Sequence, residues 1–499
     1  MNHALLFSVF IVASCGLAYE LIAGALSSYL LGDSVTQFST VIGTYLFAMG
    51  GGSWLSRFIE RNLVARFIQI EILVGLIGGF SAAGLFFIFV WLSTPFKLAL
   101  YLSVFLIGLL VGLEIPLIMR ILKKDIDFRE LVSQVLTFDY LGALAVSILF
   151  PVVLVPQLGL IRSGLLFGVL NVLIALWALR FFRGHLQKTA MLKAQGIAAL
   201  TLLLAGFSGA GRFTSLAETH LYADEIIYSV SSNYQRIVIT RWKDDVRLFL
   251  NNNLQFSSRD EYRYHEAMVH PGLTALPRAR RALVLGGGDG LAVREILKHP
   301  QIESIVLVDL DPEMTRLFST APLLRKLNDD ALLSPRVRII NADALQWLEE
   351  NDESFDFIAV DFPDPSNFSI GKLYSAAFYR LLEKHMNAGA FAVVQATSPL
   401  YARRSFWCIV TTLESAGLKT APYHVLVPSF GEWGFILAGR GGYVIPDKYA
   451  VETRFLTADA TPHLFHFPKD MARIDAEVNR LNNQALVHYF EDEWRKVLR

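Results

Sequence analysis

The sequence predicts an α-helical transmembrane bundle fused to an α/β Rossmann-like domain of the methyltransferase type, with a small β-hairpin region between them. Three observations predict this fold class. Long apolar runs fill the first 212 residues, strand-like and helix-like segments alternate later in the chain, and a glycine-rich turn follows one of those strands. The predicted domains are 1–212 (about seven spans), 213–280 (hairpin region and linking helix), 281–445 (Rossmann-like domain) and 446–499 (C-terminal helical extension).

The chain is too apolar for an ordinary soluble enzyme. Of its 499 residues, 53% are hydrophobic and 18% are charged, which also excludes a disordered chain. The first 212 residues hold 14 Lys and Arg against 9 Asp and Glu, and the remainder holds 31 against 36. Neither part has the basic surface that binding to nucleic-acid phosphates needs, so we expect no such partner. Cys15 and Cys408 lie far apart and form neither a disulfide framework nor a zinc signature, so we expect no metal.

Seven apolar runs in the first part are candidates for crossing a hydrocarbon core of about 30 Å. They predict a multi-pass protein of the inner cell membrane, with the lipid bilayer as a partner. The first run has no basic n-region and is followed by further runs, so it is interpreted as a membrane helix rather than a secretory signal. The seventh is the shortest and is rich in glycine, so it could fail to span. The predicted spans are 4–31, 39–58, 66–93, 97–121, 131–155, 158–181 and 195–212.

The ionisable residues that interrupt these runs include Glu20, Glu114 and Asp139. A charge at membrane depth costs at least about 2.5 kcal/mol, so such residues usually face the interior of a bundle. One hypothesis is a cavity that accepts a cation. The other is interhelical hydrogen bonding by protonated carboxyl groups.

After residue 212 the pattern becomes that of a soluble domain. Segments 223–240 and 246–250 alternate as strands do and are followed by an asparagine turn, which predicts the hairpin region. Ser258 to Glu261 resembles a capping box that opens a helix. Apolar strands alternating with helices then predict a parallel, doubly wound sheet. Its strands are 282–285, 305–308, 337–340, 357–360, 391–395 and 435–438.

The strongest motif is the glycine turn at 286–290, which follows a strand and precedes a helix. Asp309 ends the next strand 19 residues after Gly290, close to the spacing at which an acid accepts ribose hydroxyls. Asp343 follows the third strand. Acidic residues at three strand ends favour the binding of a neutral or cationic nucleoside. A Rossmann-like sheet that binds NAD remains the alternative.

The fourth strand ends in two carboxylates, Asp361 and Asp364, separated by a Phe-Pro pair. Ligands of open α/β sheets bind outside the carboxyl ends of the strands, so this pair is a candidate cation site. A simple Asp-Pro turn is the other interpretation.

These motifs together resemble those of the spermidine synthases, the polyamine aminopropyltransferases. The resemblance covers about residues 220–440, and the apolar half is similar to that of a multi-spanning membrane branch of the family. The motifs that carry it are Gly286-Gly287-Gly288-Asp289-Gly290, Tyr264-His265-Glu266, Asp343-Ala344, Asp361-x-x-Asp364-Pro365, Ala377-Phe378-Tyr379, Gln395 and Ser232-Asn233-Tyr234-Gln235.

The resemblance implies a reaction and a role for each matching residue. The aminopropyl group of decarboxylated S-adenosylmethionine, a co-substrate, would pass to putrescine, giving spermidine and methylthioadenosine without a further cofactor. Asp361 would be the proton acceptor, helped by repulsion from Asp364. The nucleoside would be bound by Gln235, Asp309, Asp343 and Ala344, and the polyamine or aminopropyl chain by His265, Asp289 and Asp364. A homo-oligomer is also implied.

Two other functions stay open. An S-adenosylmethionine-dependent methyltransferase shares this sheet, but Asp289 would repel the carboxylate of intact methionine. A membrane polyamine transporter or sensor with a binding-only domain is the second alternative, and Glu20, Glu114 and Asp139 motivate it.

Two segments depart from the soluble members of the family. Ser366 to Tyr374 replaces a Gly-Pro and Leu-Phe segment, and Pro428-Ser429-Phe430 replaces Pro-Thr-Tyr. Both are expected near the acceptor amine, so they leave its identity open. Glu432 and Trp433 are candidates for a charge and an apolar wall there.

Loop charges and substrate supply predict different orientations of the catalytic domain. The loops after spans two, four and six carry the basic residues and should be cytoplasmic, so seven spans would place the domain outside. The sulfonium substrate is made in the cytoplasm, and on that ground we favour a cytoplasmic domain. The loop cations are Arg57, Arg61, Arg66, Arg120, Lys123, Lys124, Arg129, Arg180, Arg183, Lys188 and Lys193.

Overall fold

The computed structural model describes residues 2–31, 34–92, 96–123, 127–182, 186, 189–222 and 224–497. The chain divides into two compact units, Met1–Asp224 and Glu225–Arg499. This division lies beyond the expected boundary at 212, because the last helix of the first unit continues to Leu221. Three of the loop cations, Lys124, Arg183 and Lys188, lie outside the described residues.

Seven α-helices build the described part of the first unit. They are α1 (Asn2–Leu31), α2 (Ser34–Leu55), α3 (Leu63–Leu92), α4 (Phe96–Leu122), α5 (Phe128–Leu149), α6 (Val155–Phe181) and α7 (Thr189–Leu221). Five segments of the described chain are long and apolar enough to cross a membrane. One of them runs from Phe128 to Phe181, because a π-helical turn joins α5 to α6 without a loop. The segment α2, rich in glycine, serine and threonine, is not among the five.

Glycines bring the helices of this unit close together. A Cβ atom added to Gly112 of α4 would lie 2.2 Å from the carbonyl oxygen of Met49 in α2, and one added to Gly52 would lie 2.0 Å from that of Leu109. Small residues at such crossings let helix backbones approach.

The second unit begins with a four-stranded antiparallel sheet rather than a single hairpin. Its strands, in spatial order, are β1 (Glu225–Ser231), β2 (Arg236–Trp242), β3 (Asp245–Leu250) and β4 (Asn253–Ser257). Segment 223–240, predicted as one strand, is broken by a turn in which Ser232 Oγ accepts hydrogen bonds from the backbone of Tyr234 and Gln235.

A seven-stranded mixed sheet forms the centre of this unit, in the order β10-β11-β9-β8-β5-β6-β7. Its strands are β5 (Arg281–Gly286), β6 (Ser304–Asp309), β7 (Val337–Asn341), β8 (Phe355–Asp361), β9 (Met386–Gln395), β10 (Lys419–Val427) and β11 (Gly431–Gly439). Its helices are α8 (Glu261–Thr274), α9 (Leu291–Leu297), α10 (Pro312–Thr320), α11 (Pro322–Leu327), α12 (Ala344–Glu350), α13 (Phe368–Gly371), α14 (Ala376–Lys384) and α15 (Arg403–Ser415). The Rossmann-like prediction is confirmed.

The expectation of a wholly parallel sheet was wrong at one edge. Strands β5 to β9 are parallel, whereas β11 pairs antiparallel with both β9 and β10. The sequence analysis missed β10, which contains Pro422. Proline is tolerated there because β10 is an edge strand, where a missing N–H need not break a ladder.

Alternate residues of the central strands enter two separate cores, one on each face of the sheet. Val284, Leu307 and Ala359 belong to one core, to which the four-stranded sheet also contributes. Their neighbours Leu283 and Val308 belong to the other. Because successive side chains of a strand point to opposite faces, both faces of the sheet are packed beneath the loops at its carboxyl edge.

The predicted C-terminal helix over 471–498 was only partly right. The tail contains α16 (Thr461–Leu464) and α17 (Ala485–Val497), and residues 472–480 are not helical. Their carbonyl groups accept hydrogen bonds from α15 instead: Arg403 Nε donates to Ala472 O at 2.7 Å and Cys408 Sγ to Glu477 O at 3.1 Å.

A buried histidine pair makes this unit sensitive to acid. His270 Nδ1 lies 3.0 Å from His299 Nε2, and both side chains are buried. Burial and the neighbouring His270 lower the pKa of His299 to about 3. The unfolded chain therefore binds a proton at His299 that the folded chain does not, so its contribution to stability falls as pH drops from about 6.5 toward 3.

We predict that His299→Gln reduces this acid sensitivity. At about pH 5 the wild-type protein should lose roughly 2 kcal/mol at His299 relative to about pH 7.5, because its unfolded pKa is near 6.5. Thermal unfolding of the full-length variant should show a smaller decrease in Tm between these pH values. The exposed His463→Gln is the control. Equal decreases in wild type and His299→Gln would contradict the assignment.

Candidate active site

Five strand ends bring the predicted site residues to one edge of the sheet. Gly286 of β5 pairs with Asp361 of β8, and Asp309 of β6 pairs with Asn341 of β7. Gln395 ends β9. Since β5 to β9 are parallel, their carboxyl ends share the edge at which open α/β sheets bind ligands.

Asp361 ends β8 at this edge and is bound by a tyrosine of α8. Its Oδ1 accepts a 2.6 Å hydrogen bond from the hydroxyl of Tyr264 in α8. Burial raises the pKa of Asp361 to about 6, with Asp289 adding to the rise while His265 and Tyr264 oppose it. A carboxylate with this pKa is ionised near neutrality and is a better base than an ordinary aspartate.

Asp364 lies in the loop after β8 and is bound by β9 and the residues after it. Gln395 Nε2 donates to Asp364 Oδ1 at 3.3 Å, and Thr397 Oγ1 donates to Oδ2 at 3.4 Å. Burial raises its pKa to about 7. Repulsion from Asp364 was expected to raise the pKa of Asp361. In the structure, the acid that raises this pKa is Asp289.

His265 is held in place by an ion-pair network on α8. Its Nδ1 lies 2.8 Å from both the backbone oxygen and Oε2 of Glu261, and Glu261 also binds Arg294 at 2.9 Å. Burial alone would lower the pKa of His265, but Glu261, Asp289 and Asp361 together raise it. The acidic surroundings therefore favour the cationic form of His265.

The predicted capping box is wrong, because its residues have other partners. Glu261 binds His265 and Arg294 as above, and Asp260, at the N-cap of α8, makes no side-chain cap. Asp260 instead accepts from the backbone N–H of Ser429 at 2.6 Å and from its hydroxyl at 2.8 Å. These bonds hold the β10–β11 turn, one of the departures from the family pattern, against α8.

The glycine turn leaves space for Asp309. A Cβ atom at Gly288 would lie 2.7 Å from Asp309 Cγ, and the Gly288 N–H donates to Asp309 Oδ2 at 3.0 Å. Burial raises the pKa of Asp309 to about 6. Asp289 follows in the turn, where its Oδ1 accepts from Leu291 N at 2.9 Å. Burial raises the pKa of Asp289 as well.

Gln235 reaches this edge from the turn between β1 and β2. Its Nε2 donates to Asp311 Oδ2 at 2.9 Å, and Ser232 Oγ donates to the same oxygen at 2.7 Å. Asp311 in turn donates its backbone N–H to Asp309 Oδ1 at 2.8 Å. Asp311 thus links Gln235 to Asp309.

Asp343 and Ala344 begin α12 beyond β7. Asp343 Oδ1 caps this helix by accepting from Leu345 N at 2.9 Å, and Oδ2 forms a 2.7 Å ion pair with Lys372. The ion pair lowers the pKa of Asp343 against the effect of burial. Lys372 belongs to the segment that departs from the family pattern, so this departure contacts a predicted nucleoside-binding residue.

The two candidates on β11 have different surroundings. Trp433 Nε1 donates to Gln395 Oε1 at 3.2 Å, which connects it to the site. Glu432 is hydrogen-bonded to His424 Nδ1 and so is not a free charge for a substrate.

Sequence reasoning missed several partners that complete this edge. The roles of these residues depend on contacts with distant parts of the chain. The only local sign of such contacts in the sequence was that Tyr264 and Gln395 occur in the matched motifs. Thr397 has a left-handed backbone with φ of 54°, which is strained for a β-branched residue and is common at functional sites. The missed residues are Glu261, Arg294, Asp311, Lys372, Tyr374 and Thr397.

The assembled edge is suited to a cationic ligand. Asp289, Asp361 and Asp364 outnumber the single His265, and each of the three carboxyl groups has a raised pKa. Raised pKa values in a recessed acidic site are typical of acid–base chemistry.

Comparison with known proteins gives the family. The spermine/spermidine synthase domain matches residues 261–443. Polyamine aminopropyltransferase 2 of Ralstonia nicotianae is 59% identical, covering 100% of this chain and 99% of that protein. Polyamine aminopropyltransferase of Leptospira interrogans is 54% identical, covering 100% of both. A crystal structure of spermidine synthase in complex with the transition state analogue AdoDATO shows 23% identity and a TM-score of 0.47, over 50% of this chain and 88% of that chain.

The full-length identity to these relatives, over both units of the chain, agrees with the motifs at the carboxyl edge of the sheet. The chain belongs to the polyamine aminopropyltransferase family, as the sequence predicted.

Proposed function

We propose that this enzyme transfers the aminopropyl group of decarboxylated S-adenosylmethionine to putrescine, giving spermidine and methylthioadenosine. The observation that carries the proposal is the base Asp361, with its raised pKa and its Tyr264 partner, followed three residues later by a second carboxyl group, Asp364, at the edge of the sheet where ligands bind. Putrescine is a dication at neutral pH, so its two ammonium groups suit two carboxylates.

In this mechanism Asp361 takes a proton from one ammonium group of putrescine. The freed nitrogen lone pair attacks the aminopropyl carbon, and the carbon–sulfur bond breaks with its electrons moving to the sulfonium sulfur. The products are a neutral thioether and a secondary ammonium group, whose nitrogen carries the new bond to the aminopropyl carbon. Holding the amine, carbon and sulfur in line would supply much of the remaining acceleration.

The nucleoside would be held by the strands on the other side of Asp361. We assign the ribose hydroxyl groups to Asp309 and Gln235, and the adenine to Asp343 and Ala344. Asp289 and His265 would face the aminopropyl chain, where the carboxylate of Asp289 attracts its ammonium group. Asp364, held by Gln395 and Thr397, would bind the distal ammonium group of putrescine.

A panel of amines tests the acceptor. Purified full-length protein in detergent, given decarboxylated S-adenosylmethionine, should use putrescine with the highest kcat/KM, ahead of cadaverine and spermidine. Transfer to spermidine with higher efficiency than to putrescine would overturn the acceptor assignment while leaving the reaction type intact.

We predict that Tyr264→Phe shifts the pH dependence of the reaction. The Tyr264 hydroxyl donates to the ionised form of Asp361 and lowers its pKa. Removing this bond raises that pKa, so the acid limb of kcat/KM should move to higher pH. Tyr262→Phe, a change on the same helix, is the control. An acid limb at the same pH in Tyr264→Phe and wild type would contradict Asp361 as the base.

We infer that the first unit lies in the inner cell membrane and that the catalytic unit faces the cytoplasm. The support is the set of five apolar helical segments and the cytoplasmic origin of the sulfonium substrate. Reporter fusions after Tyr222, at the end of α7, test the orientation. Activity of a reporter that works only outside the cytoplasm would overturn it.

A further inference from the structure

The helical unit contains a carboxyl pair that the catalytic reaction does not use. Glu71 on α3 and Glu114 on α4 are 0% and 1% exposed. The sequence analysis singled out Glu114 but not Glu71. The negative charge of Glu71 opposes ionisation of Glu114.

Glu71 is bound on one side only. Asn171 Nδ2, on α6, donates to Glu71 Oε2 at 2.7 Å, and Tyr19 Oη, on α1, donates to Asn171 Oδ1 at 3.0 Å. Tyr19 and Asn171 are also fully buried. Three helices therefore converge on one carboxyl group.

One oxygen of each carboxyl group has no donor in the described part of the chain. Among the described residues, neither Glu71 Oε1 nor Glu114 Oε1 has a hydrogen-bond partner, although both atoms are buried. A buried carboxylate oxygen without a donor is costly, and more so when another carboxyl group is near. The pair therefore requires a donor that its own side chains do not provide.

Two described donors on which the pair acts, Tyr45 and Cys15, already have acceptors. Tyr45 Oη, on α2, donates to Gly16 O at 2.8 Å, and Cys15 Sγ, on α1, donates to Phe167 O at 3.5 Å. The remaining ionisable neighbour is Asp139 on α5, itself an acid whose charge acts on Glu114.

Among the described residues, no positive charge is found to act on the pair. The charged groups that act on Glu114 are Glu71 and Asp139, and the partner of Glu71 is the neutral Asn171. Within the described chain, α6 and α7 contribute no basic side chain that acts on either carboxyl group. Glu20 of α1 acts on the nearby Tyr45 and is also acidic.

We propose that Glu71 and Glu114 form a proton-binding site inside the helical unit, held by Asn171 and Tyr19. The ligand is a proton because a carboxyl O–H is the smallest donor that satisfies a buried oxygen, and because it removes the charge of the pair. The site belongs to the helical unit, and it does not depend on the chemistry of the catalytic carboxylates.

Infrared spectroscopy of the full-length protein in lipid vesicles tests this site. At neutral pH the wild-type protein should show the carbonyl stretch of a protonated carboxyl group. Exchange into D2O should shift this band to lower frequency. Glu114→Gln and Glu71→Gln, which keep the side-chain shape and remain neutral, should each reduce or remove this band. Glu130→Gln, at an exposed carboxyl group of α5, should leave it unchanged.

A second variant separates the site from folding. Asn171→Ala removes the donor to Glu71 but keeps both carboxyl groups, so it should shift the position of the band rather than abolish it. Absence of the band from wild type, or a band of undiminished intensity in both glutamine variants, would overturn the proposal. Loss, on adding putrescine at constant pH, of the part of the band that the glutamine variants lack would also overturn it, because the pair would then bind an ammonium group instead of a proton.

Discussion

Asp361→Asn should lower kcat for aminopropyl transfer by about 10²- to 10⁴-fold, the range typical of a general base. The amide has nearly the same shape as the carboxylate and can still meet the Tyr264 hydroxyl, so the fold should persist. It cannot take a proton from the ammonium group of the acceptor. Single-turnover measurements with saturating substrates check the chemical step directly.

Binding measurements separate this loss from a loss of affinity. The Kd of methylthioadenosine should change little in Asp361→Asn, because the nucleoside is assigned to other residues. Asp352→Asn, at an exposed position before β8, serves as the matched control and should keep wild-type kcat. A kcat for Asp361→Asn within a few fold of wild type would show that another group accepts the proton.

The second large effect is expected at Asp289, which should determine the choice between the decarboxylated and the intact sulfonium. Its side chain is buried in the glycine turn, with one oxygen accepting from Leu291 N. Two like charges about 4 Å apart repel by roughly 1–4 kcal/mol at the dielectric constants of water and protein surfaces. In Asp289→Asn, the carboxylate of intact S-adenosylmethionine is no longer repelled. The ammonium groups of the intact and the decarboxylated compound both lose the attraction of Asp289.

The preference for decarboxylated over intact S-adenosylmethionine should therefore fall by about ten- to a thousand-fold in Asp289→Asn. Calorimetric Kd values for the two compounds give this ratio, and the Asp352→Asn protein is again a suitable control. An unchanged ratio would mean that Asp289 does not face the methionine carboxylate, and it would reopen the methyltransferase interpretation.

Much of the catalytic unit could be predicted because its signals are local. The strand before Gly286, the turn itself and the acid at Asp309 follow one another within a single βαβ unit, and the structure has this unit. Strand β10 was missed because Pro422 argues against a strand unless the edge position is already known. The extended stretch near Glu477 was missed because its hydrogen bonds come from α15, far away in the sequence.

The site shows the same limit. Carboxylates at strand ends can be found from the sequence, but their partners are set by folding. Asp311 lies 76 residues from Gln235, and Tyr264 lies 97 residues from Asp361. The capping-box motif was misleading for this reason, because Glu261 forms an ion pair with Arg294 instead of capping its own helix.

The most direct test of the central claim is product analysis with the wild-type, full-length protein. Incubated with decarboxylated S-adenosylmethionine and putrescine, it should form spermidine and methylthioadenosine in equal amounts, and neither product should form when putrescine is omitted. Binding of both substrates by the folded protein without either product would contradict an aminopropyltransferase and favour a transporter or sensor with a binding-only domain.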